Sequence, residues 1–564
     1  MTYLTQMEGV PVNNRLIRGR VSDIGDPGRR ADAVWVRDGR IEAVGGDEVV
    51  TTATANGAVE EHYGARYVCP GFVDPHAHVE VGSIAAANYL DLRVPRVSSI
   101  DDVLQALSER VDGSEDWIIG QANLFWDIKL SDGRYPTRQE LDTVSTRQPI
   151  AVRAGGHYSV LNSKAFEISN VAAYARSEGM MGRAVIHRDA YGEPTGLIGE
   201  LDAVLPLPNP TGSELESTLR SGISSLFTRY GVTSVGEISE TADGPAAFMA
   251  LAERDELNLR TSLYLWVPGA FTLEDACRAP QQFASARPEM ASIQGIKIFA
   301  DGGFSSRNAA TLTPYRPRYA HSPGSRGEIN LSGERIGDIL RAATNAGLQL
   351  AVHANGERAQ QEAARAIIDT LGASPTGRLR TRLEHAGNYV TSPATIQAWV
   401  DSGVHVAPQP GFLYNFDDFL PEYLGRAGER GRHPFRSLLA AGVRLSASSD
   451  LHMGSEIEQT NPLFGVWNCV KRESFLGNII EQEESIDLDT ALQMHTLDAA
   501  ALLGRESEIG SIAAGKHADI TILEEDPHDV TVDQLRQIRA DRVIVSGITV
   551  YEREGAAPPT AAVR

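Results

Sequence analysis

Pro70-Gly71-Phe72-Val73-Asp74-Pro75-His76-Ala77-His78 is the stretch on which the reading of this chain turns. It follows the β-rich run Tyr67-Val68-Cys69 and begins with a Pro-Gly turn. On an extended strand, residues i and i+2 point to the same side, so His76 and His78 direct two imidazoles at one point. Neutral imidazole is a common ligand for zinc, iron and nickel. Taken alone, the pair is equally well two polar residues at a strand end, so the surrounding sequence has to decide.

Downstream, short β-rich runs alternate with helical patterns. The runs lie at 150–152, 232–235, 295–299, 348–352, 382–385, 404–407 and 443–447, and the helical patterns at 100–111, 214–230, 333–346, 357–371 and 392–402. Such alternation implies a parallel sheet, and about eight repeats imply a closed (β/α)8 TIM barrel of the α/β class. The stretches 82–148 and 164–210 are long for simple connections and are expected to build a substrate lid or pocket wall. Both chain ends are β-rich: 16–21 and 33–45 near the start, with the hairpin signal Asp38-Gly39, and 510–523 and 542–551 near the finish. Neither end carries enough apolar residues for its own core, so the two together predict one small composite β-sandwich. The expected division is 1–68 for the first part of the sandwich, 69–500 for the barrel with its inserted lid, and 501–564 for the rest of the sandwich.

Composition narrows the function. The 564 residues carry Lys+Arg 52 against Asp+Glu 74, a formal net charge of -22, which disfavours nucleic acid as a partner. Three widely spaced cysteines, Cys69, Cys277 and Cys469, make no disulfide framework and suit a reducing compartment. The first 14 residues carry no basic segment followed by an apolar one, and no run reaches membrane-spanning length. A cytoplasmic protein with no membrane partner is expected, acting on a small molecule, with a homodimer as the default assembly.

Barrels of this type keep their chemistry at the C-terminal ends of their strands. There the sequence places, in order, His76 and His78, then His157 in Gly155-Gly156-His157, Lys297 inside an apolar strand, His353, Glu384-His385 and Asp450. One such histidine is usually structural; several, with a strand-borne lysine and an aspartate, are better explained by a metal site.

On these residues the chain resembles the amidohydrolase superfamily. The first-strand motif and Gly510-Ser511-Ile512-Ala513-Ala514-Gly515-Lys516-His517-Ala518-Asp519 carry the broad likeness. The narrower amidohydrolase-3 branch is matched by Gly156-His157 with Asn162-Ser163, by Lys297-Ile298-Phe299-Ala300-Asp301-Gly302 with Ser306-Arg307, and by His353-Ala354-Asn355-Gly356-Glu357-Arg358-Ala359. Glu384-His385-Ala386, Gln409-Pro410 and Ser449-Asp450 complete the likeness, which spans about 15–552.

The resemblance implies a metal-dependent hydrolase of carbon–nitrogen bonds, acting on an amide or N-substituted formamide with an apolar group. His76 and His78 would bind the more buried metal, and His353 and His385 the second. Lys297, N6-carboxylated on its amine, would bridge the two. Asp450 would touch the first metal and carry protons. Divalent cations lower the pKa of bound water and so supply a hydroxide nucleophile, while a metal, helped by His157, stabilises the oxyanion. Zinc is the first choice, one or two ions per chain, although the donor set also suits manganese, iron and cobalt. If Lys297 were unmodified, it would pair with a carboxylate such as Asp301 or Glu237. A cyclic amide, carbamate or ester, or ring deamination, fits the same site, whereas a non-enzymatic binding protein would need a lost ligand. His157 could alternatively cap a helix, Glu384 could pair with Arg382 or Arg358, and Arg307 could hold a substrate carboxylate or brace a loop. The branch often has proline two residues after the aspartate; here His452 stands there, which allows an added polar contact.

Overall fold

The computed structural model describes residues 13–22, 24, 30–174, 178–179, 182–372 and 381–560. Eight parallel strands form one sheet in chain order: Phe72–Ala77, Val232–Ser239, Arg260–Trp266, Ala291–Phe299, Gln349–His353, Arg382–Glu384, His405–Ala407 and Arg444–Leu445. Every residue of Val232–Ser239 and of Arg260–Trp266 is buried, as strands covered on both faces must be. The two edges of the sheet meet through backbone bonds just beyond the strands. Asp450 N–H donates to His76 O, and His78 N–H to Leu451 O, each at 2.8 Å. That closure completes the (β/α)8 barrel and sets Asp450 beside the first strand.

The connecting helices carry their own instructions. In Gly333–Asn345 the hydroxyl of Ser332 accepts from Arg335 N–H, and Ile336, Ile339, Leu340 and Ala343 form the buried face at helical spacing. Glu357–Leu371 packs beside it, burying Ala359, Ala363, Ala366 and Ile367.

The 150–152 run, expected in the barrel, lies elsewhere. Ile150–Ala154 belongs to a separate six-stranded sheet with Leu90–Asp91, Ile118–Ala122, Tyr158–Leu161, Pro194–Gly199 and Val185–Arg188. Gly155 and Gly156, at φ +63° and +75°, turn the chain straight back into an antiparallel partner instead of a crossover helix. The barrel's remaining strand is Arg260–Trp266, which the sequence reading does not anticipate. The six-stranded sheet draws on the stretches where a lid or pocket wall is expected, and residues joined to it, Leu124, Phe125 and Gly155 to His157, line the central cavity.

The chain ends build the second unit. One seven-stranded sheet runs Ile548–Glu552, Ala540–Val545, Ile520–Leu523, Val59–Pro70, Asn14–Ser22, Arg30–Arg37, Arg40–Gly45. Asp38 and Gly39, at φ +50° and +76°, make the expected tight hairpin. Ile17, Val34 and Ile41 from one half and Ile520, Ile522 and Ile544 from the other share one interior. Backbone bonds from Ile41 N to Lys516 O and from Ala518 N to Gly39 O close the fold of the sheet on itself. The result is the composite sandwich. A buried bidentate ion pair, Arg260 to Asp519 at 2.9 Å for both bonds, ties the third barrel strand to it.

Candidate metal centre

All the ionisable residues singled out at strand ends of the barrel converge on its C-terminal mouth. Asp74 and His76 alternate with apolar neighbours on the first strand, and His78 stands one residue beyond it as the cap of helix Val79–Asn88. The helix needs its own N-terminal partner, and Glu237 supplies it, accepting from the backbone N–H of Val79 and of Glu80. Lys297 projects from the fourth strand, and the sheet register sets Phe299 beside His353 and His353 beside Glu384. His385 and Asp450 adopt φ +68° and +49°, left-handed conformations, His385 directly after its strand and Asp450 five residues beyond the end of the eighth. Such strain in non-glycine residues is sustained where the surroundings hold it, and both are held by backbone bonds across the barrel, His385 N to Ala407 O and Asp450 N to His76 O.

Asp450 Oδ1 is 3.2 Å from His76 Nε2 and 3.2 Å from His78 Nε2, and its Oδ2 is 3.9 Å from His385 Nδ1. His76, His385 and Asp450 offer donor atoms all within 4.8 Å of one another. His353 stacks edge-on against His385, ring centres 4.4 Å apart. Burial, reinforced by neighbouring cationic groups, keeps His76 and His353 well below the usual imidazole range. Burial likewise brings His385 down to about 4, against the opposing pull of Asp450. Three buried imidazoles are thus neutral, with lone pairs free for coordination. His76 Nδ1 has no hydrogen-bond partner among the described residues. Neutral imidazoles gathered around a carboxylate are the donor set a divalent metal takes, and the residues fit one.

Lys297 is fully buried, and burial lowers its amine well below the usual lysine range. Its Nζ contacts Glu384 Oε2 and lies 3.5 Å from His76 Nε2. Neither Asp301 nor Glu237, the partners expected for an unmodified lysine, is the one found. Asp301 instead accepts three backbone N–H bonds, from Ala310, Asn355 and Gly356 at 2.8–2.9 Å, and so pins the loops after two barrel strands together. Burial pushes its carboxyl up to about 7 against those bonds. Glu384 also takes Arg382 at 2.7 Å, the pairing weighed from sequence.

His157 sits in the Gly155–Gly156 turn, not at a helix cap. Its Nδ1 is 3.0 Å from Glu200 Oε2, and Glu200 in turn binds Ser306 Oγ and, at 3.3 Å, Asn308 Nδ2. Burial opposes a proton on His157, but the Glu200 charge outweighs it and the imidazole is raised above its ordinary range. Gly303 leaves room for the ring, since a Cβ there would lie 2.7 Å from His157 Nε2. Arg307 does not line the cavity: it bonds Asp127 at 3.0 Å and Tyr158 at 3.1 Å and braces the lid. Phe304 and Phe412 line the cavity, whereas Trp126, Tyr158, Tyr414 and Trp467 pack outside it.

Two carboxylates were not singled out from sequence. Glu240 follows directly on the buried strand Val232–Ser239, the same strand-end signal that marks the histidines. Glu200 ends the lid strand Pro194–Gly199 and has no such signal, because the lid is outside the barrel pattern.

The sequence profile of the amidohydrolase family matches residues 65–551. N-substituted formamide deformylase of Arthrobacter pascens is 27% identical over 98% of this chain and 100% of its own. Putative amidohydrolase YtcJ of Bacillus subtilis is 26% identical over 94% and 97% respectively. Among solved structures, a metal-dependent hydrolase of Pyrococcus horikoshii shares the fold with a TM-score of 0.70 at 22% identity, over 92% of this chain and 99% of its own.

Proposed function

The chain belongs to the amidohydrolase family, and from that premise we propose that it cleaves the C–N bond of an amide or N-substituted formamide bearing an apolar group on nitrogen. It is a hydrolase of carbon–nitrogen bonds other than peptide bonds. His76, His78, His353, His385 and Asp450, with Lys297 between them, would hold the divalent metal, zinc by first choice. The observation that carries this reading is the placing of one Asp450 oxygen 3.2 Å from the Nε2 of both His76 and His78, beside His353 and His385, with His76, His353 and His385 kept neutral by burial.

Ions held there would polarise the scissile carbonyl and lower the pKa of water, supplying a nucleophile near neutral pH. Asp450 accepts the proton that water gives up and returns it to the departing nitrogen; an amine leaves poorly unless protonated. Burial raises the Asp450 carboxyl, but the neighbouring imidazoles of His385 and His78 bring it down to about 2, so it begins the cycle as a base. His157, held through Nδ1 by Glu200, has its other nitrogen free to donate to the carbonyl oxygen as negative charge develops there. Leu124, Phe125, Phe304, Phe412 and Phe416 supply apolar surface for the nitrogen substituent. The cavity as it stands is about 60 Å³, room for only a few waters, so a bulky substituent requires the lid residues to move.

Two ions bridged by an N6-carboxylated Lys297 make the binuclear form of this reading: a neutral buried amine can react with carbon dioxide, and two cations favour the resulting anion. The contact of Lys297 with Glu384 favours a second form, an unmodified lysine and a single ion. Replacing Lys297 by alanine separates them. Loss of metal and activity together, partly restored by short carboxylic acids, is the binuclear result; full activity without rescue is the other.

The substrate reading is tested by amine and carboxylic acid release from N-benzyl and N-aryl formamides and acetamides. Equal release of both products, abolished by chelation and restored by metal, is expected. Cleavage of esters or ring deamination, with no amide turned over, would overturn it.

A further inference from the structure

Glu240 lies partly buried beside His78, and its Oε1 meets two imidazoles: it contacts His78 Nδ1 and lies 3.2 Å from His452 Nε2. The His452 ring is hydrogen-bonded to that oxygen, and His78 Nδ1 is held against it as an ion-pair contact. With Nδ1 turned to Glu240, His78 presents its Nε2 to Asp450 at 3.2 Å. The ring of His452 stands edge-on to that of His78, centres 4.8 Å apart at 82°.

His452 is itself anchored. Its N–H donates to Ser455 Oγ at 2.8 Å, and Ser455 N–H returns a bond to His452 O at 3.1 Å. Gly156 of the lid makes room for it, since a Cβ there would lie 2.4 Å from His452 Cε1. Removing the imidazole would take from Glu240 its hydrogen bond to His452 and leave the contact with His78.

We propose that Glu240 and His452 are a positioning pair for His78: the carboxylate sets the tautomer and orientation of that imidazole, and His452 locks the carboxylate. This rests on the metal-centre reading above. Partners that orient a ligand imidazole typically change metal affinity by about ten- to a hundredfold when lost.

The test is competition between the apoprotein and a chromophoric chelator for Zn(II), and separately for Co(II), in wild type, E240A, E240Q, H452A and H452Q. E240A and H452A should weaken binding by about ten- to a hundredfold and shift the visible bands of the Co(II) protein, which report ligand geometry. E240Q keeps an acceptor and H452Q keeps a donor, so both should lie nearer wild type; they also keep the test decisive if an alanine variant does not fold. Equal affinities and spectra across the set overturn the proposal. So does loss of a whole ion per chain in H452A, which would make His78, Glu240 and His452 a coordination site of their own, as donor atoms within 4.8 Å of one another allow. A wild-type protein that takes up no ion removes the metal-centre reading and the proposal together, whereas normal uptake with unchanged variants removes the proposal alone.

Discussion

Asp450 is where the chemistry is most exposed to test at the scale of single residues. D450N keeps the shape and an oxygen donor but cannot carry a proton, so metal content should stay near wild type while turnover falls by about 10²- to 10⁴-fold. Unchanged turnover would remove it as the proton carrier. His157 gives a pH prediction. Glu200 raises its pKa above the ordinary value of 6.5, so the protonated donor and its stabilising pairing are complete below that value and are lost as pH rises through the folded pKa. In E200Q the alkaline fall in kcat/KM should move to lower pH; an unmoved limb would show that His157 does not act in its charged form. How far such residues are legible depends on local backbone. His76 and His78 follow from strand alternation, and Asp450 from its place after an apolar strand. Glu384 does not, because alternation points it away from its neighbour His385. The positive φ of His385 breaks that alternation and lets both side chains enter the barrel mouth.

At the scale of elements, the Gly155–Gly156 turn links the lid to the barrel. It diverts Ile150–Ala154 from the barrel, and nothing in four apolar residues and Arg153 says which sheet they join; the glycines that follow do. Arg260–Trp266 is the converse case: its charged and polar start hides a strand whose every residue is buried, with Arg260 neutralised by a partner 259 residues away. G156A places a Cβ against His452 and forces an alanine to φ +75°, so a loss of about 1–2 kcal/mol is expected from the backbone alone. Its KM for an N-substituted formamide should rise as well. A variant with wild-type thermal midpoint and KM would show the turn to be dispensable.

For the whole molecule, barrel and sandwich are held together by charge as well as by apolar packing. Arg260 and Asp519 are both buried, and Arg260 also bonds Ser546. Burial opposes the Asp519 charge, but Arg260 outweighs it and depresses the carboxyl. The pair therefore stabilises the fold above the unfolded pKa of the carboxyl, and that stability is lost as pH falls through the folded value. D519N leaves a buried guanidinium without its counter-charge and should cost about 3–5 kcal/mol, read from the urea midpoint at neutral pH. A midpoint within error of wild type would mean that the junction does not depend on the pair. The terminal strands were legible as one unit because neither end can bury its own apolar face; this cross-link was not, because no local pattern joins residue 260 to residue 519. The central claim, that the buried histidines and Asp450 hold a catalytic metal, is tested most directly by elemental analysis of wild type, H76A and H385A alongside amine release. One or two ions per wild-type chain, with ions and activity lost together in the variants, is the predicted result. A wild-type protein that turns over amide substrate after exhaustive removal of metal would contradict it.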